Sequence, residues 1–308
     1  MTATPTVTKS VIPAAGHGTR MLPAAKAVAK ELLPVLDKPA IQYVVEEAAA
    51  GGITDVLLIS APAKRAVEQH FQADAELEKR LEASGKVGLI DSIRRLTATV
   101  RMHAVDQLEQ RGLGDAVRHA REFVGHEAFL CQLGDTIFSG DTDALPARQL
   151  IDAHRELGTS VIGVEEVPAE KVERYGIVGG VEIAPGVLRL DTLIEKPSVA
   201  AAPSRLAIAA RYVLTPAIFD CLDATPPGKG GEIQLTDAIR LLMSRGETVH
   251  AVRLRGRRHD IGSPLDWLKT NLVFAARDAR LWEQVAPLAR ELLAQSPPQL
   301  PPPPRATQ

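Results

Sequence analysis

A glycine-rich segment near the N-terminus, residues 14–20, has residue types that could bind an anion. It reads Ala-Ala-Gly-His-Gly-Thr-Arg and follows residues 8–13, which we interpret as a short buried strand. Gly16 and Gly18 allow the backbone to approach a ligand closely and to adopt positive φ, and exposed N–H groups in such a turn form an anion-binding nest. Because paired glycines also occur in ordinary tight turns, the loop alone leaves both interpretations open.

Three cationic side chains, Arg20, Lys26 and Lys30, stand at the end of the loop and just after it. Cations beside backbone N–H groups suit a triphosphate, because its charge must be matched before a second anion can approach. Met21 stands where the third glycine of the dinucleotide fingerprint would be, which argues against an NAD-binding dehydrogenase. No Gly-Lys-Ser/Thr follows either, so the segment is not a P-loop.

The elements that must position these residues alternate between strand and helix. Apolar runs predict strands over 55–60, 98–105 and 128–133, and helical spacing predicts helices over 41–50, 63–71, 74–84 and 113–124. This rhythm predicts an α/β fold: a three-layer, Rossmann-like, mixed and mostly parallel sheet with helices on both faces. Ligands bind outside the carboxyl ends of such strands, so the loop and Asp135, which each follow a strand, should face one crevice.

The second half of the chain has a more mixed pattern. Strands are predicted over 160–167, 206–214 and 249–254, and the runs 175–183 and 187–195 predict a small antiparallel pair. Helices are predicted over 232–244 and 267–295, with a break near Ala279. We therefore expect a catalytic domain over 8–270, a helical segment over 271–295 that could form an oligomer interface, and a disordered Pro-rich tail over 296–308.

The composition narrows the function classes. Hydrophobic residues make up 45% of the chain, charged residues 24%, and the net charge is −2, which argues against a nucleic-acid-binding surface. The basic run 253–258 is better interpreted as a solvated strand end. The sequence has no apolar run of membrane-spanning length and no secretory signal, and Cys131 and Cys221 lack metal-ligand spacing. We expect a cytoplasmic protein with neither a membrane nor a nucleic-acid partner.

Further motifs follow the loop in a fixed order. They are Lys-Glu-Leu-Leu-Pro at 30–34, Asp-Lys-Pro at 37–39, Ile-Gln-Tyr-Val-Val-Glu-Glu at 41–47, Gly-Leu-Gly-Asp-Ala-Val at 112–117, Tyr-Gly-Ile-Val at 175–178, Glu-Lys-Pro at 195–197, Arg-Tyr-Val-Leu at 211–214, Gly-Glu-Ile-Gln-Leu-Thr-Asp at 231–237 and His-Asp-Ile-Gly at 259–262. Between residues 9 and 269 the ordered set resembles the bacterial UTP–glucose-1-phosphate uridylyltransferases of the nucleotidyltransferase superfamily. Thymidylyl- and cytidylyltransferases share single motifs, but the ordered set is specific.

The resemblance implies transfer of a uridylyl group from UTP to glucose 1-phosphate, which gives UDP-glucose and pyrophosphate. The attacking phosphate is already largely dianionic at neutral pH, since its second pKa is about 6. The reaction therefore needs no serine, cysteine or histidine nucleophile and no general base, and catalysis consists of positioning and charge neutralisation. The eight histidines accordingly form no catalytic or ligand pattern.

The resemblance also implies roles for the charged residues. Arg20 and Lys30 should hold the triphosphate and stabilise the departing pyrophosphate, and Lys196 should bind the phosphate of glucose 1-phosphate. Asp135 and Asp260 should bind Mg²⁺, which prefers few protein oxygens together with several phosphate oxygens. The alternative for Asp135 is a turn-forming or helix-capping role.

Recognition of the base and of the sugar falls to backbone groups and polar side chains. The nucleotide-binding set is Ala14, Ala15, Gly16, Gly18, Thr19, Lys26, Glu31, Gln107 and Gly112. The amide of Gln107 can pair with the O4/N3 edge of uracil and nearly as well with thymine. The sugar-phosphate set is Gly176, Glu195, Lys196 and Glu232. Glu232 alternatively begins a helix and interacts with its dipole.

Four positions depart from the family pattern. Leu108 and Ala210 replace glycines, Ala29 replaces a proline, and Gly134 stands where proline is usual and where thymidylyltransferases have glycine. A glucose-1-phosphate thymidylyltransferase is therefore the alternative within the class. A catalytically silent, regulatory relative is the alternative from another class, although this chain retains the charged residues that such a relative would lose. The family implies a homodimer or homotetramer.

Overall fold

The computed structural model describes residues 6–140 and 145–295, so the Pro-rich tail expected over 296–308 lies outside the described residues. The strands in these ranges are β1 Lys9–Pro13, β2 Pro34–Val35, β3 Lys38–Pro39, β4 Asp55–Ser60, β5 Arg101–Asp106, β6 Phe129–Gln132, β7 Thr136–Ser139, β8 Ser160–Glu166, β9 Gly176–Ala184, β10 Val187–Glu195, β11 Leu206–Leu214, β12 Val249–Arg253 and β13 Arg257–Asp260. The helices are α1 Ala40–Ala50, α2 Arg65–Gln69, α3 Ala75–Ala83, α4 Asp91–Thr99, α5 Leu113–Arg118, α6 Arg121–Val124, α7 Pro146–Leu157, α8 Ile218–Ala224, α9 Leu235–Ser244, α10 Pro264–Arg277 and α11 Ala279–Ala294.

Nine of these strands form one mixed sheet in the order β5-β4-β1-β6-β11-β8-β12-β10-β9. The first four are parallel to one another, as expected for strands joined by helical crossovers. The later strands are antiparallel except for the parallel pair β8–β12. Strand β9 also pairs with β11, so β11, β8, β12, β10 and β9 close into a ring. Within this ring, β9 and β10 are the antiparallel pair that the sequence predicts over 175–183 and 187–195, whereas the ring itself was not predicted.

Side chains at alternate positions of the central strands pack into two separate hydrophobic cores, one on each face of the sheet. Val11 of β1 packs against the layer formed by α5, α8 and α9, whereas its neighbour Ile12 packs against α1 and α7. Both side chains are completely buried. A strand covered on both faces is expected to read as a continuous apolar run, which is what Asp55–Ser60 does after its first residue. The predicted mixed α/β fold with helices on both faces is confirmed.

Two of the predicted boundaries are wrong. The strand expected from residue 98 begins only at Arg101, because α4 continues to Thr99. The hydroxyls of Thr97 and Thr99 each donate to a carbonyl about one turn back, which accommodates these β-branched residues in a helix. The helix expected from Glu232 begins at Leu235, and Glu232 itself has extended backbone (φ −90°, ψ 142°). The helix-dipole role considered for Glu232 is therefore excluded.

The C-terminal part of the described chain is a pair of helices, α10 and α11, that meet at Asp278, close to the break predicted near Ala279. The domain boundary expected at 270/271 lies inside α10. The pair carries leucines that are at least half exposed, among them Leu268, Leu272, Leu288 and Leu292. Among the described helices, none is both long and apolar enough to cross a membrane.

Candidate active site

The start of the glycine-rich loop is held in place by two hydrogen bonds to the backbone of Ala14. The backbone N–H of Ala14 donates to the carbonyl of Ile59 on β4 (2.8 Å), and the ammonium of Lys64 donates to the carbonyl of Ala14 (2.7 Å). Lys64 also pairs with the buried carboxylate of Glu31 at 2.9 Å. Gly18 has a φ of 65° and begins a short 3-10 turn that orients Arg20. The base of the loop is therefore fixed, while its tip, residues 16–19, remains accessible to a ligand.

Two adjoining cavities open at the carboxyl ends of the parallel strands. The first, the loop cavity, has a volume of about 400 Å³ and is lined by residues 15–19 together with Glu31, Gln107, Gln110 and Gly112. The second, the central cavity, has a volume of about 440 Å³ and is lined by residues that include Arg20, Gly176, Glu195, Lys196 and Asp260. Both cavities are also lined by Lys30, Leu113, Leu133, Asp135 and Glu232. The shared residues mark the boundary where ligands of the two cavities would meet.

Lys30 and Asp135 form an ion pair at that boundary, with 2.5 Å between Nζ and Oδ2. Both side chains are 16% exposed. Burial alone would lower the pKa of Lys30, but the nearby charges of Asp135 and Glu31 outweigh burial, so the pKa of Lys30 is raised. Burial alone would raise the pKa of Asp135, but the charge and hydrogen bond of Lys30 outweigh it, so the pKa of Asp135 is lowered. Both groups are therefore charged at neutral pH.

Asp135 and Asp260 are brought together by a strand pair that the sequence analysis does not predict. Strands β7 and β13 are antiparallel, with Thr136 opposite Asp260, and the N–H of Ile261 donates to the carbonyl of Asp135 (2.9 Å). Burial and the nearby charge of Asp135 raise the pKa of Asp260. A cation held by both carboxylates would relieve this repulsion. In the described part of the chain, no group of three His, Cys, Asp or Glu side chains could hold a metal.

Gly262, the last residue of the His-Asp-Ile-Gly motif, lies directly against Arg20. A Cβ atom on Gly262 would lie 2.6 Å from Nη2 of Arg20 and 2.7 Å from Oδ1 of Asp260, so any larger residue would require these two side-chain ends to shift. The N–H of Gly262 donates to the same Oδ1 atom at 2.7 Å. Gly262 therefore lets the guanidinium and the carboxylate come close together, a role that the sequence analysis did not assign to it.

The central cavity has a polar wall built from the ends of β9 and β10. Glu195 lies opposite Gly176 in the register of these strands, and its Oε2 accepts a hydrogen bond from the hydroxyl of Thr236 (3.0 Å). The ammonium of Lys196 lies 3.2 Å from Oε1 of Glu195. Lys196 also has a φ of 46°, a left-handed conformation that is costly for a non-glycine residue and is found at functional sites.

Gln107 lines the loop cavity, but its amide nitrogen is already committed to the protein. It donates to Oδ2 of Asp115 at 2.8 Å and to the carbonyl of Gly112 at 3.4 Å. Its side chain is therefore fixed in one orientation, in which the carbonyl oxygen is the group left to accept a hydrogen bond from a ligand.

The segment between β5 and α5, residues 107–112, is the second loop of the site, and a short backbone ladder ties it and the start of α5 to the wall of the central cavity. The N–H of Ile233 donates to the carbonyl of Arg111 (2.7 Å), and the N–H of Gly114 donates to the carbonyl of Ile233 (2.8 Å). Gly112 and Glu232 flank these bonds and line the loop cavity together. The ladder brings together two motifs that are more than a hundred residues apart in sequence.

All the predicted site residues except Ala14 and Lys26 line one of the two cavities. Both backbone groups of Ala14 are hydrogen-bonded within the protein, and Lys26 is exposed on the turn Ala24–Lys26. The sequence analysis missed Lys64, although it follows β4 as closely as the glycine-rich loop follows β1, and the rule about strand ends could have found it. It also missed Arg174 and Arg258, which have no motif of their own.

A fully buried ion pair supports the site from behind. Arg211 donates to both carboxylate oxygens of Glu47, at 3.0 Å from Nε and 2.8 Å from Nη2. The same guanidinium donates to the carbonyl of Thr136 (2.8 Å) and to the carbonyl of Ala210 (3.0 Å). Thr136 and Ala210 both line the central cavity, so this pair fixes backbone on two sides of it.

Comparison with known proteins agrees with this geometry. Residues 9–276 match the family model described as nucleotidyl transferase. UTP–glucose-1-phosphate uridylyltransferase 2 of Staphylococcus saprophyticus is 45% identical over 286 residues, which are 93% of this chain and 98% of that protein. A UTP-bound UGPase from Acinetobacter baumannii superposes with a TM-score of 0.86 at 36% identity, covering 93% of this chain and 99% of that one. A UDP-glucose pyrophosphorylase in complex with UDP-glucose gives a TM-score of 0.81 at 33% identity, covering 88% and 100%.

Proposed function

Because this chain belongs to the nucleotidyl transferase family, within the group of UTP–glucose-1-phosphate uridylyltransferases, we propose that it transfers a uridylyl group from UTP to glucose 1-phosphate. The products are UDP-glucose and pyrophosphate. The observation that carries the proposal is the meeting of two cavities at Lys30 and Asp135, with an anion-binding loop in one cavity and a wall of hydroxyl acceptors in the other. The chain is thus an enzyme for two small-molecule substrates.

The loop cavity takes the nucleotide in this proposal. Backbone N–H groups of residues 16–19 bind the triphosphate. Lys30 at the boundary, together with Arg20 from the adjoining central cavity, neutralises the charge that develops on the departing pyrophosphate. A phosphate oxygen of the sugar phosphate forms the new bond to the α-phosphorus, and the bond to the pyrophosphate oxygen breaks on the opposite side. No proton transfer is required, which fits a boundary formed by an ion pair rather than by a nucleophile and its base.

The central cavity takes the sugar phosphate. Glu195 and Glu232 accept hydrogen bonds from sugar hydroxyls close to the backbone of Gly176, and Lys196 binds the phosphate. The hydrogen bond from Thr236 and the ammonium of Lys196 hold Glu195 in one orientation, which is the condition for selecting hydroxyls at fixed positions.

Asp135 and Asp260 fit Mg²⁺ as the divalent cation. Two partly buried carboxylates, with no third Asp, Glu, His or Cys to complete a metal site within residues 6–140 and 145–295, suit an ion that keeps most of its coordination for water and phosphate oxygens. When bound, Mg²⁺ would polarise the α-phosphate and offset its charge. Lys30 would then be free to bind the triphosphate instead of Asp135.

Uracil is the proposed base. Its N3–H can donate to the carbonyl oxygen that Gln107 leaves available, and thymine offers the same group, so this contact alone does not separate the two. The preference for uracil rests on the relatives, whose names specify UTP at 45% identity over nearly the whole chain. A thymidylyltransferase is the second candidate, and Gly134, the buried residue before Asp135, is the residue in its favour.

The proposal also covers the extent of the catalytic domain, the oligomeric state, the cellular location and the role of Lys26. A catalytic domain reaching to about residue 270 is extended by the α10–α11 pair, whose exposed leucines support a homodimer or homotetramer. Two free, buried cysteines support a cytoplasmic setting. Exposed Lys26 would act only as an accessory to the triphosphate site.

A substrate matrix tests the proposal. Pyrophosphate release is measured for UTP, dTTP and CTP against the 1-phosphates of glucose, galactose and N-acetylglucosamine, with Mg²⁺ present. We expect UTP with glucose 1-phosphate to give the highest kcat/KM. A higher value for dTTP would replace the proposal by the thymidylyltransferase, and no release from any pair would indicate the silent relative.

A further inference from the structure

A third cavity, called the outer cavity, adjoins the central cavity, shares all of its lining residues with it and is positively charged. This outer cavity has a volume of about 450 Å³ and is lined by Arg20, Arg174, Tyr175, Lys196 and Asp260. Three of its five lining residues are cations and one is a carboxylate. Arg20 and Lys196 have roles in the proposed reaction, whereas nothing above assigns a role to Arg174.

Two arginines flank the ring of Tyr175, and they differ in how firmly they are held. Arg258 lies 4.4 Å from the ring centroid, pairs with Glu165 at 2.6 Å, and is only 9% exposed. Arg174 lies 5.8 Å from the centroid, pairs with Asp266 at 3.8 Å, and is 44% exposed. An ion pair of that length and exposure contributes little to stability. Arg258 is therefore a fixed structural group, and Arg174 can leave its partner at little cost.

The backbone places Arg174 beside the sugar-phosphate side of the site. Arg174 is the last residue of the 3-10 helix Ala169–Arg174, and the next residue, Tyr175, accepts a hydrogen bond from the N–H of Lys196 (3.0 Å). Arg174 also lines the central cavity, together with Glu195 and Lys196. Neither Arg174 nor Arg20 lines the loop cavity, so it is the backbone link from Tyr175 to Lys196 that places Arg174 on the sugar-phosphate side.

The negative charge of glucose 1-phosphate is too large to be neutralised by Lys196 alone. The phosphate of glucose 1-phosphate carries nearly two negative charges at neutral pH, since its second pKa is about 6. The charge of Lys196 is partly offset by Glu195, 3.2 Å away. A guanidinium can bind two phosphate oxygens at once, which an ammonium cannot do with the same geometry.

We propose that Arg174 is a second phosphate-binding residue for the sugar phosphate, exchanging its ion pair with Asp266 for the ligand. This inference rests on the proposed function and deepens it. Arg174 would raise the affinity for glucose 1-phosphate and help to align the phosphate for attack, without taking part in binding of the nucleotide.

Steady-state kinetics of the full-length protein test the inference. For Arg174→Gln we expect KM for glucose 1-phosphate to rise about tenfold, the effect of losing a charge-assisted hydrogen bond in a partly solvated site, with KM for UTP unchanged within about twofold. Arg174→Lys should recover part of the loss. Arg205→Gln is the matched control, because Arg205 is similarly exposed and pairs with Glu166. It should leave both KM values unchanged.

A second variant separates ligand binding from a structural role. Asp266→Asn weakens the competing partner of Arg174, so KM for glucose 1-phosphate should fall about twofold by relieving the competition. A rise like that of Arg174→Gln would show that the ion pair itself matters and would overturn the inference. So would equal effects on both substrates, or a rise in KM for pyrophosphate alone in the reverse reaction. Failure of the wild-type protein to release pyrophosphate would instead defeat the proposed function.

Discussion

The ammonium of Lys30 lies 2.5 Å from the carboxylate of Asp135, so the residue proposed to bind the triphosphate and the residue proposed to bind the metal neutralise each other. Each of these buried charges would be costly if it were left alone. In the proposed reaction this pair would open as the metal and the triphosphate bind, so that each charge gains a new partner.

Removing the carboxylate should abolish turnover without unfolding the protein. In Asp135→Ala the cation loses one of its two carboxylates, and we expect kcat to fall by about a thousandfold or more, as for loss of a transition-state electrostatic group. The circular dichroism spectrum should match that of the wild type. Normal Mg²⁺-dependent pyrophosphate release by the variant would show that Asp135 is not the metal ligand.

Removing the ammonium should have opposite effects on metal binding and on catalysis. Lys30→Met retains much of the apolar stem but leaves Asp135 without its cation, so Mn²⁺ should bind the nucleotide-free protein about tenfold more tightly, while kcat falls. Titration calorimetry measures the affinity. Lys38→Met is the control, because Lys38 forms a comparable ion pair with Glu46 outside both cavities. Weaker Mn²⁺ binding by Lys30→Met would mean that Lys30 helps to build the metal site.

Breaking the buried pair of Glu47 and Arg211 should destabilise the protein strongly. Glu47→Gln leaves a fully buried guanidinium without a countercharge, and we expect a loss of about 3–5 kcal/mol in the free energy of unfolding. Urea denaturation measures this loss. Glu76→Gln, which breaks the exposed pair with Arg80 on α3, should cost less than about 0.5 kcal/mol. Equal losses in the two variants would contradict the role of burial.

Replacing Ala210 by glycine should stabilise the protein. Ala210 has a φ of 58° at an irregularity in β11, a conformation that costs a non-glycine residue about 1 kcal/mol or more. The gain is reduced by the greater entropy of glycine in the unfolded chain, so the net increase should be about 0.5–1 kcal/mol. Ala209→Gly, at the neighbouring buried position, should instead destabilise the protein. Loss of stability in Ala210→Gly would mean that contacts of its methyl group outweigh the strain.

Stability should fall in mildly acidic solution because of His259. Burial and the charges of Arg257 and Arg277 lower the pKa of His259 from 6.5 to about 4. The fold thus favours the neutral ring, and its contribution is complete above pH 6.5 and is lost as the pH falls toward 4. Between pH 8 and pH 5 the wild type should lose about 2 kcal/mol more than His259→Asn. The exposed His126→Asn variant should behave as the wild type does.

The glycine-rich loop and the carboxylate Asp135 could be placed from the sequence because the argument is local. Each follows an apolar run, and the carboxyl ends of parallel strands meet at one edge of a sheet. Glu195 and Lys196 were found through their motif, and the structure brings them to the same cavity as Arg20. The roles of these two residues came from the resemblance to a known family, because the pattern of the neighbouring residues alone does not indicate them.

Contacts between distant segments could not be predicted in this way. The pairing of β7 with β13 depends on two short strands, and strands of four residues carry too little pattern to be recognised. Arg174 belongs to no motif, and only its position beside Tyr175 and Lys196 indicates that it could bind a ligand. The same holds for Gly262, whose missing side chain matters because Arg20 lies next to it.

The ladder that joins Arg111 and Gly114 to Ile233 has a consequence for the order of events in turnover. A ligand in the loop cavity that displaced the second loop would also displace Glu232, because the neighbouring Ile233 is hydrogen-bonded to Arg111 and Gly114. If a ligand in the loop cavity shifts the second loop, the wall of the central cavity should shift with it. The nucleotide would then be the first substrate to bind. A sugar phosphate that arrived first would meet a central cavity that does not yet have its final shape.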